Sequence, residues 1–295
     1  MNAAVVCRNA TKHYPNFTLS NLNLEIPAGT IVGFVGENGA GKSTTIKAML
    51  NLVRLDQGEI QVLGEDSRRL SRKTRERIGV VFDGCHLPQE LTTPQIGRVF
   101  ANAYARWQEE AFQRMVRRFQ LPSGKRIKDF SRGMQMKLAI ACALSHQPDL
   151  LLLDEATSGL DPVVRDEILD LFLDFLQDES HTVFLSSHII SDIEKAADYV
   201  AFLHQGKLLF MEEKDRLREQ YGLAACEKGE AGTLPRELVA GMRTSAFSIT
   251  VLVRDRRQAE KLLRRPVEPA SMEDILLYLS KYPADGMENR LKPRS

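Results

Sequence analysis

Only four cysteines occur in 295 residues, and Cys7, Cys85, Cys142 and Cys226 lie far apart along the chain. That spacing offers neither a paired metal-ligand motif nor a disulfide framework, so four reduced thiols in a cytosolic protein are expected. Charge of one sign is also lacking. The 40 basic and 39 acidic side chains leave a net charge of +1, which argues against a dedicated nucleic-acid binder and leaves room only for a local basic patch. No uninterrupted apolar run reaches the ~18 residues that span a bilayer. The richest stretch, 138–153, is cut by His146, Gln147, Pro148 and Asp149. Residues 1–8 are too short and too soon charged for a secretory signal. If the protein works at a membrane, something else must anchor it.

What is present is ordinary in bulk: 43% apolar and 27% charged residues, the balance of a globular protein long enough for one large domain or one domain with an appendage. The opening third reads as strands and turns. Residues 30–35 form a short, β-branched run suited to a buried strand, and 43–52 then carry apolar residues at helical spacing. Another strand is expected at 78–82, and a largely helical region from about 94 to 146 with polar breaks at 122–124 and 126–130. Continuous apolar runs at 150–153, 182–186 and 199–203 suit a parallel sheet buried on both faces, with helices expected at 162–176 and 189–197 between them. The scheme is α/β. Strong periodicity ends near Gly222. Residues 226–233 read as a linker, 247–253 as a strand, 256–265 and 272–281 as helices, and the tail after Pro283 as disordered. The expected division is one large domain over 1–222, with a helical subdomain at about 88–147, and a small α+β accessory region over 223–295.

Between the strand at 30–35 and the helix after it stands Gly36-Glu37-Asn38-Gly39-Ala40-Gly41-Lys42-Ser43, the pattern G-x-x-x-x-G-K-[ST]. Glycines let successive backbone N–H groups turn inward onto phosphate oxygens, and the helix that follows adds roughly half a positive charge at its N-terminus. Lys42 is placed to reach the β and γ phosphates, and the Ser43 hydroxyl to ligate Mg²⁺. A glycine turn that merely precedes a lysine is the plain alternative; the flanking strand and helix argue against it. The loop alone leaves ATP or GTP, motor or kinase, open. Further on, Asp154 and Glu155 end an apolar strand, where ligands of open α/β sheets collect. Asp154 would hold Mg²⁺, directly or through water, and Glu155 would orient and polarise the attacking water.

Over about residues 5–221 the chain resembles the ATP-binding cassette (ABC) ATPases. The resemblance is carried by the phosphate loop, then Phe130-Ser131-Arg132-Gly133-Met134, then the run from Leu150 through Asp154-Glu155-Ala156-Thr157-Ser158-Gly159-Leu160-Asp161-Pro162, and His188. It implies a P-loop NTPase fold in which Gly36 through Ser43 and Thr44 bind the phosphates of ATP with Mg²⁺. Tyr14 would stack on adenine and His188 would contact the γ-phosphate, with Lys42 and Glu155 as its fellow catalytic groups. Ser131 and Gly133 would bind the γ-phosphate held by a second ATPase chain, homodimeric or heterodimeric, and Asp161 would communicate across that dimer. Ser131 is also a good N-cap for a helix through Met136, Ile140 and Leu144. The resemblance further implies an integral membrane permease subunit as partner and a peripheral place on the cytoplasmic face of the cell membrane, with no nucleic acid involved.

Two stretches depart from the family pattern. Arg132 and Met134 stand where the usual signature has glycine and glutamine; Arg132 adds a cation near phosphate or simply faces solvent, the latter being commoner for a charged side chain. Asp83 stands where the family has a glutamine after the strand at 78–82, and either ligates Mg²⁺ or only opens the turn Asp83-Gly84. These features are similar to bacterial exporters whose ATPase and membrane parts are separate chains, handling peptides, antibiotics, lipids or polysaccharides. A soluble ABC-type ATPase is the alternative. No Asn-Lys guanine reader occurs, which speaks against a GTPase switch. A partner surface is expected around 83–104, where Phe100 and Tyr104 share a helical face near Arg98, although buried core is the commoner fate of such a pair. The basic run Arg254, Arg256, Arg257, Lys261, Arg264 and Arg265 either meets anionic lipid or forms a solvated helix face.

Overall fold

The computed structural model describes residues 3–227, 230–245 and 248–284. Phe247 and the chain from residue 285 onward, which contains most of the tail expected to be disordered, lie outside the described residues. The chain divides into two compact units, Met1–Met211 and Glu212–Ser295.

The first unit opens with a hairpin of β1 (Ala3–Tyr14) and β2 (Phe17–Pro27), closed at Pro15-Asn16 so that Tyr14 pairs with Phe17. Along β2, Leu19, Leu22, Leu24 and Ile26 are buried and the residues between face outward, the alternation of a sheet with one wet face. β3 (Ile31–Val35), buried at every position, leads into α1 (Lys42–Met49). β4 (Gln57–Val62) and β5 (Glu65–Asp66) complete an antiparallel sheet ordered β2-β1-β4-β5.

After α2 (Arg72–Arg75) and β6 (Ile78–Val81) comes the helical insert: α3 (Thr93–Ala103), α4 (Glu109–Arg118) and α5 (Arg132–Leu144). Then follow β7 (Leu150–Asp154), α6 (Pro162–Phe175), β8 (Thr182–Ser187), α7 (Ile190–Ala196), β9 (Tyr199–His204) and β10 (Lys207–Glu213). The central sheet has the order β10-β9-β3-β8-β7-β6, and the pairings from β9 through β6 are parallel. β7 and β8 are buried throughout; each of the four leucines of β7 contributes roughly 1.5–3 kcal/mol of apolar burial. Because β8 lies between β3 and β7, the loops leaving these three strands converge at one edge. That convergence builds the site.

The second unit holds α8 (Lys214–Gln220), β11 (Gly222–Cys226), β12 (Val239–Thr244), β13 (Ile249–Val253), α9 (Arg256–Leu263), β14 (Glu268–Pro269) and α10 (Met272–Lys281). Its sheet runs β12-β13-β11-β14. The unit begins ahead of the expected boundary at 222 because α8 packs on α9 and β14. The linker expected over 226–233 is corrected at its start: Cys226 is buried and ends a strand paired with Ile249 of β13. Of the basic run, Arg265 folds back onto its own unit, its guanidinium donating to Glu230 at 2.8 Å and to the Ala225 carbonyl.

Candidate active site

The phosphate loop is held in shape by its own geometry. Gly41 precedes α1 with φ +113°, a left-handed conformation that favours glycine, and a Cβ there would stand 2.8 Å from the Phe17 ring. The first i→i−4 bond of α1 is donated by the Thr45 N–H to the Gly41 carbonyl at 2.9 Å. The N–H groups of Lys42, Ser43 and Thr44 come before it, and no side chain caps this end. Those are the donors a helix start offers to an anion. Lys42 is buried; its Nζ donates to the carbonyls of Gly36 at 2.7 Å and Glu37 at 3.3 Å.

Three distant segments meet at the Glu155 carboxylate. Lys42 Nζ lies 3.1 Å from Glu155 Oε1, and His188 Nδ1 lies 2.6 Å from Glu155 Oε2. The Lys42 contact is an ion pair out of line for a hydrogen bond, so Oε1 makes none despite its burial. Glu155 itself has φ +54°, a strained setting that needs support from its surroundings. The support is Ser186 of β8: the Glu155 N–H donates to the Ser186 carbonyl (3.1 Å) and hydroxyl (3.2 Å), and that hydroxyl donates to Asp154 Oδ1 at 2.8 Å. Asp154 is buried beside it.

Ser131 caps α5, its hydroxyl accepting from the Met134 N–H at 3.3 Å, and Gly133 lies in the first turn. Asp161 caps α6, with Oδ1 accepting from Val163 N–H (3.1 Å) and Val164 N–H (3.0 Å). A cleft of about 540 Å³ joins Tyr14, Asn38, Gly39, Gly41, Lys42, Ser43, Thr44, Asp83 and Glu155. Tyr14 is 38% exposed at the rim. Glu37 is exposed on the loop, and Gly36 and Ala40 are buried in it. Asp83 is drawn toward the signature: Arg132 Nη2 donates to its Oδ1 at 2.8 Å. Arg132 therefore does not simply face solvent.

The family profile described as ABC transporter matches residues 19–158. The chain is 34% identical over 223 residues to the bacitracin transport ATP-binding protein BcrA of Bacillus licheniformis, covering 75% of this chain and 73% of that one. It is 35% identical to the lantibiotic transport ATP-binding protein SrtF of Streptococcus pyogenes, over 70% and 90% of the two chains. A solved ATP-binding subunit of an ABC transporter superposes with a TM-score of 0.66 at 27% identity, over 73% of this chain and 92% of that one. This chain is an ABC transporter ATP-binding subunit. It binds ATP and is an ATPase, on the P-loop α/β fold that the phosphate loop foreshadowed.

Sequence reasoning missed two parts of this ATP-binding subunit's site. Phe17 lines the cleft with its ring centroid 6.2 Å from that of Tyr14; its signal was the aromatic pair flanking the Pro15-Asn16 turn. Asp192, 1% exposed, lies on α7 with Oδ1 3.9 Å from Arg165 Nε. Burial raises its carboxyl above the ordinary value against the pull of nearby groups that include Arg165 and His188, and no sequence pattern announced it. On the insert side of the subunit, Phe100 stacks near Tyr104 (5.8 Å) and Tyr104 on His146 (4.1 Å). Both aromatics also line a second cleft with Phe82 and Leu87. Among the described residues no three His, Cys, Asp or Glu side chains form a metal cluster, and no helix is long and apolar enough to cross a membrane.

Proposed function

We propose that this chain hydrolyses ATP between itself and a second ATPase chain, and so drives export of a peptide-class antibiotic through a separate membrane-spanning subunit. The observation that carries the reading is the convergence of Lys42 and His188 on the two oxygens of Glu155. Phosphoryl transfer is mostly positioning and charge stabilisation, and this carboxylate would orient a water beside the terminal phosphate. Lys42 supplies the point charge for the phosphates and leaves Glu155 when they arrive. With Nδ1 turned to Glu155, Nε2 of His188 is the nitrogen left to face the γ-phosphate.

The hydroxyl of Ser43 and the carboxylate of Asp154 are hard oxygen donors that fit Mg²⁺, which takes one or two protein oxygens and completes its shell from phosphates and water. The ion would supply charge neutralisation on the β and γ oxygens. Tyr14, with Phe17 beside it, offers a face to adenine. Ser131 and Gly133, at the start of α5, would meet the γ-phosphate of the second chain, and Asp161 would face that chain. The cleft lined by Phe82, Leu87, Phe100 and Tyr104 would take a helix of the membrane subunit, which would place the chain peripherally at the cytoplasmic face. The cargo class rests on the relatives named for bacitracin and lantibiotic transport.

Glu155→Gln tests the core of this reading. The variant should bind ATP, lose at least about 100-fold in turnover and accumulate as an ATP-bound dimer in light scattering. Normal phosphate release from it would remove Glu155 from the chemistry. Co-purification with an integral membrane protein from detergent extracts tests the transport assignment; a purely soluble pool favours the uncoupled ATPase.

A further inference from the structure

The two stretches that depart from the family pattern meet in space. Arg132 Nη2 donates to Asp83 Oδ1 at 2.8 Å across 49 residues of sequence. The same guanidinium lies against Gly159, where an added Cβ would stand 2.9 Å from Nη1 and 3.0 Å from Cζ. Gly159 has φ +68°, so a side chain there would be strained as well as crowded. One arginine thus touches the segment after β6, the start of α5 and the turn leading to Asp161.

The pair is half-exposed, with side-chain exposures of 49% and 56%. Such a pair biases an equilibrium by no more than about five-fold. It is therefore an exchangeable contact rather than a fixed strut. A phosphate group is a better partner for this guanidinium than a single carboxylate oxygen, since it carries more charge and accepts the planar fork bidentately. Asp83 already lines the nucleotide cleft of its own chain, so a released Asp83 stays beside that cleft.

We propose that Arg132 is a phosphate-binding residue held in reserve by Asp83. When the nucleotide of the second chain approaches the start of α5, Arg132 exchanges Asp83 for a phosphate oxygen, and Asp83 is freed toward its own cleft. This rests on the two-chain reading above and predicts an asymmetry that an ordinary salt bridge lacks. Removing Asp83 takes away a competitor for Arg132, whereas removing Arg132 takes away the ligand itself.

The test is ATP-dependent dimerisation, followed by light scattering in the Glu155→Gln background. Arg132→Ala should weaken the dimer about ten-fold, the scale of one lost hydrogen bond to a charged group, and Arg132→Lys less. Asp83→Ala and Asp83→Asn should each tighten it about two- to five-fold. The double variant should match Arg132→Ala. Equal weakening by both single variants marks a plain salt bridge and overturns the proposal. A weaker dimer from Asp83→Ala that extra Mg²⁺ restores makes Asp83 a metal ligand, and overturns it too. Failure of the Glu155→Gln parent to dimerise at all refutes the two-chain reading and this inference with it.

Discussion

His188 Nδ1 and Glu155 Oε2 stand 2.6 Å apart, linking the loop after β8 to the loop after β7. The other oxygen of the same carboxylate faces Lys42 from the loop after β3. One side chain therefore ties together three neighbouring strand ends, and its position depends on partners far away in sequence.

If His188 holds Glu155 as well as facing phosphate, its loss should affect rate more than binding. His188→Ala is expected to keep ATP affinity within a few-fold and to lower turnover by about 100-fold or more. His188→Gln, which can still donate to the carboxylate, should fall between. Single-turnover phosphate release on the three proteins is the measurement; equal rates for parent and alanine variant would remove His188 from the mechanism.

The cap that Ser131 makes and the phosphate contact proposed for it can be separated. The Ser131 hydroxyl caps α5, so Ser131→Ala should cost about 1 kcal/mol of stability. Ser131→Asp preserves the cap but sets an anion against the phosphate of the second chain. Its thermal midpoint should stay near that of the parent while ATP-driven dimerisation collapses. A dimer of unchanged strength in Ser131→Asp would show that this helix start does not meet phosphate.

Acid should loosen the insert through His146. The ring is buried, stacked on Tyr104 and within 3.2 Å of the Ile78 carbonyl. Burial lowers its pKa below the ordinary 6.5, so the unfolded chain takes up the proton first. Its contribution to stability is complete above the unfolded value and is lost as pH falls below about 6.5 toward the folded value, with a slope of at most about 1.4 kcal/mol per pH unit. Urea midpoints at pH 7.5 and 5.5 should therefore differ less in His146→Phe than in the parent. Equal differences would assign the effect to other groups.

The phosphate loop was legible because its chemistry is local: eight consecutive residues encode the turn, the helix start and the cation. The strand runs of the central sheet were legible for a similar reason, since burial on both faces leaves unbroken apolar stretches such as 150–153. Helix bounds depended on caps, and Ser131 announced its own. The second unit was harder. Its strands β11 and β12 are short, mix Ala and Gly with apolar residues, and lack the periodicity that marked the first unit. Asp83 and Arg132 could each be seen as unusual, but their pairing depends on folding a chain that separates them by 49 positions. The support that Ser186 gives to Asp154 and Glu155 was invisible for the same reason, because a serine in a strand has no local pattern to betray it.

The four cysteines have one last consequence. Cys7, Cys142 and Cys226 are buried, and burial pushes the Cys7 thiol up to about 12 and raises the other two. At neutral pH these three remain thiols and react slowly. Cys85 is half-exposed, two positions beyond Asp83. A maleimide dye added to the unmodified protein will thus settle chiefly on the segment that Arg132 clasps. The chain carries its own attachment point for a fluorescence reporter of that segment, with no cysteine to be added or removed.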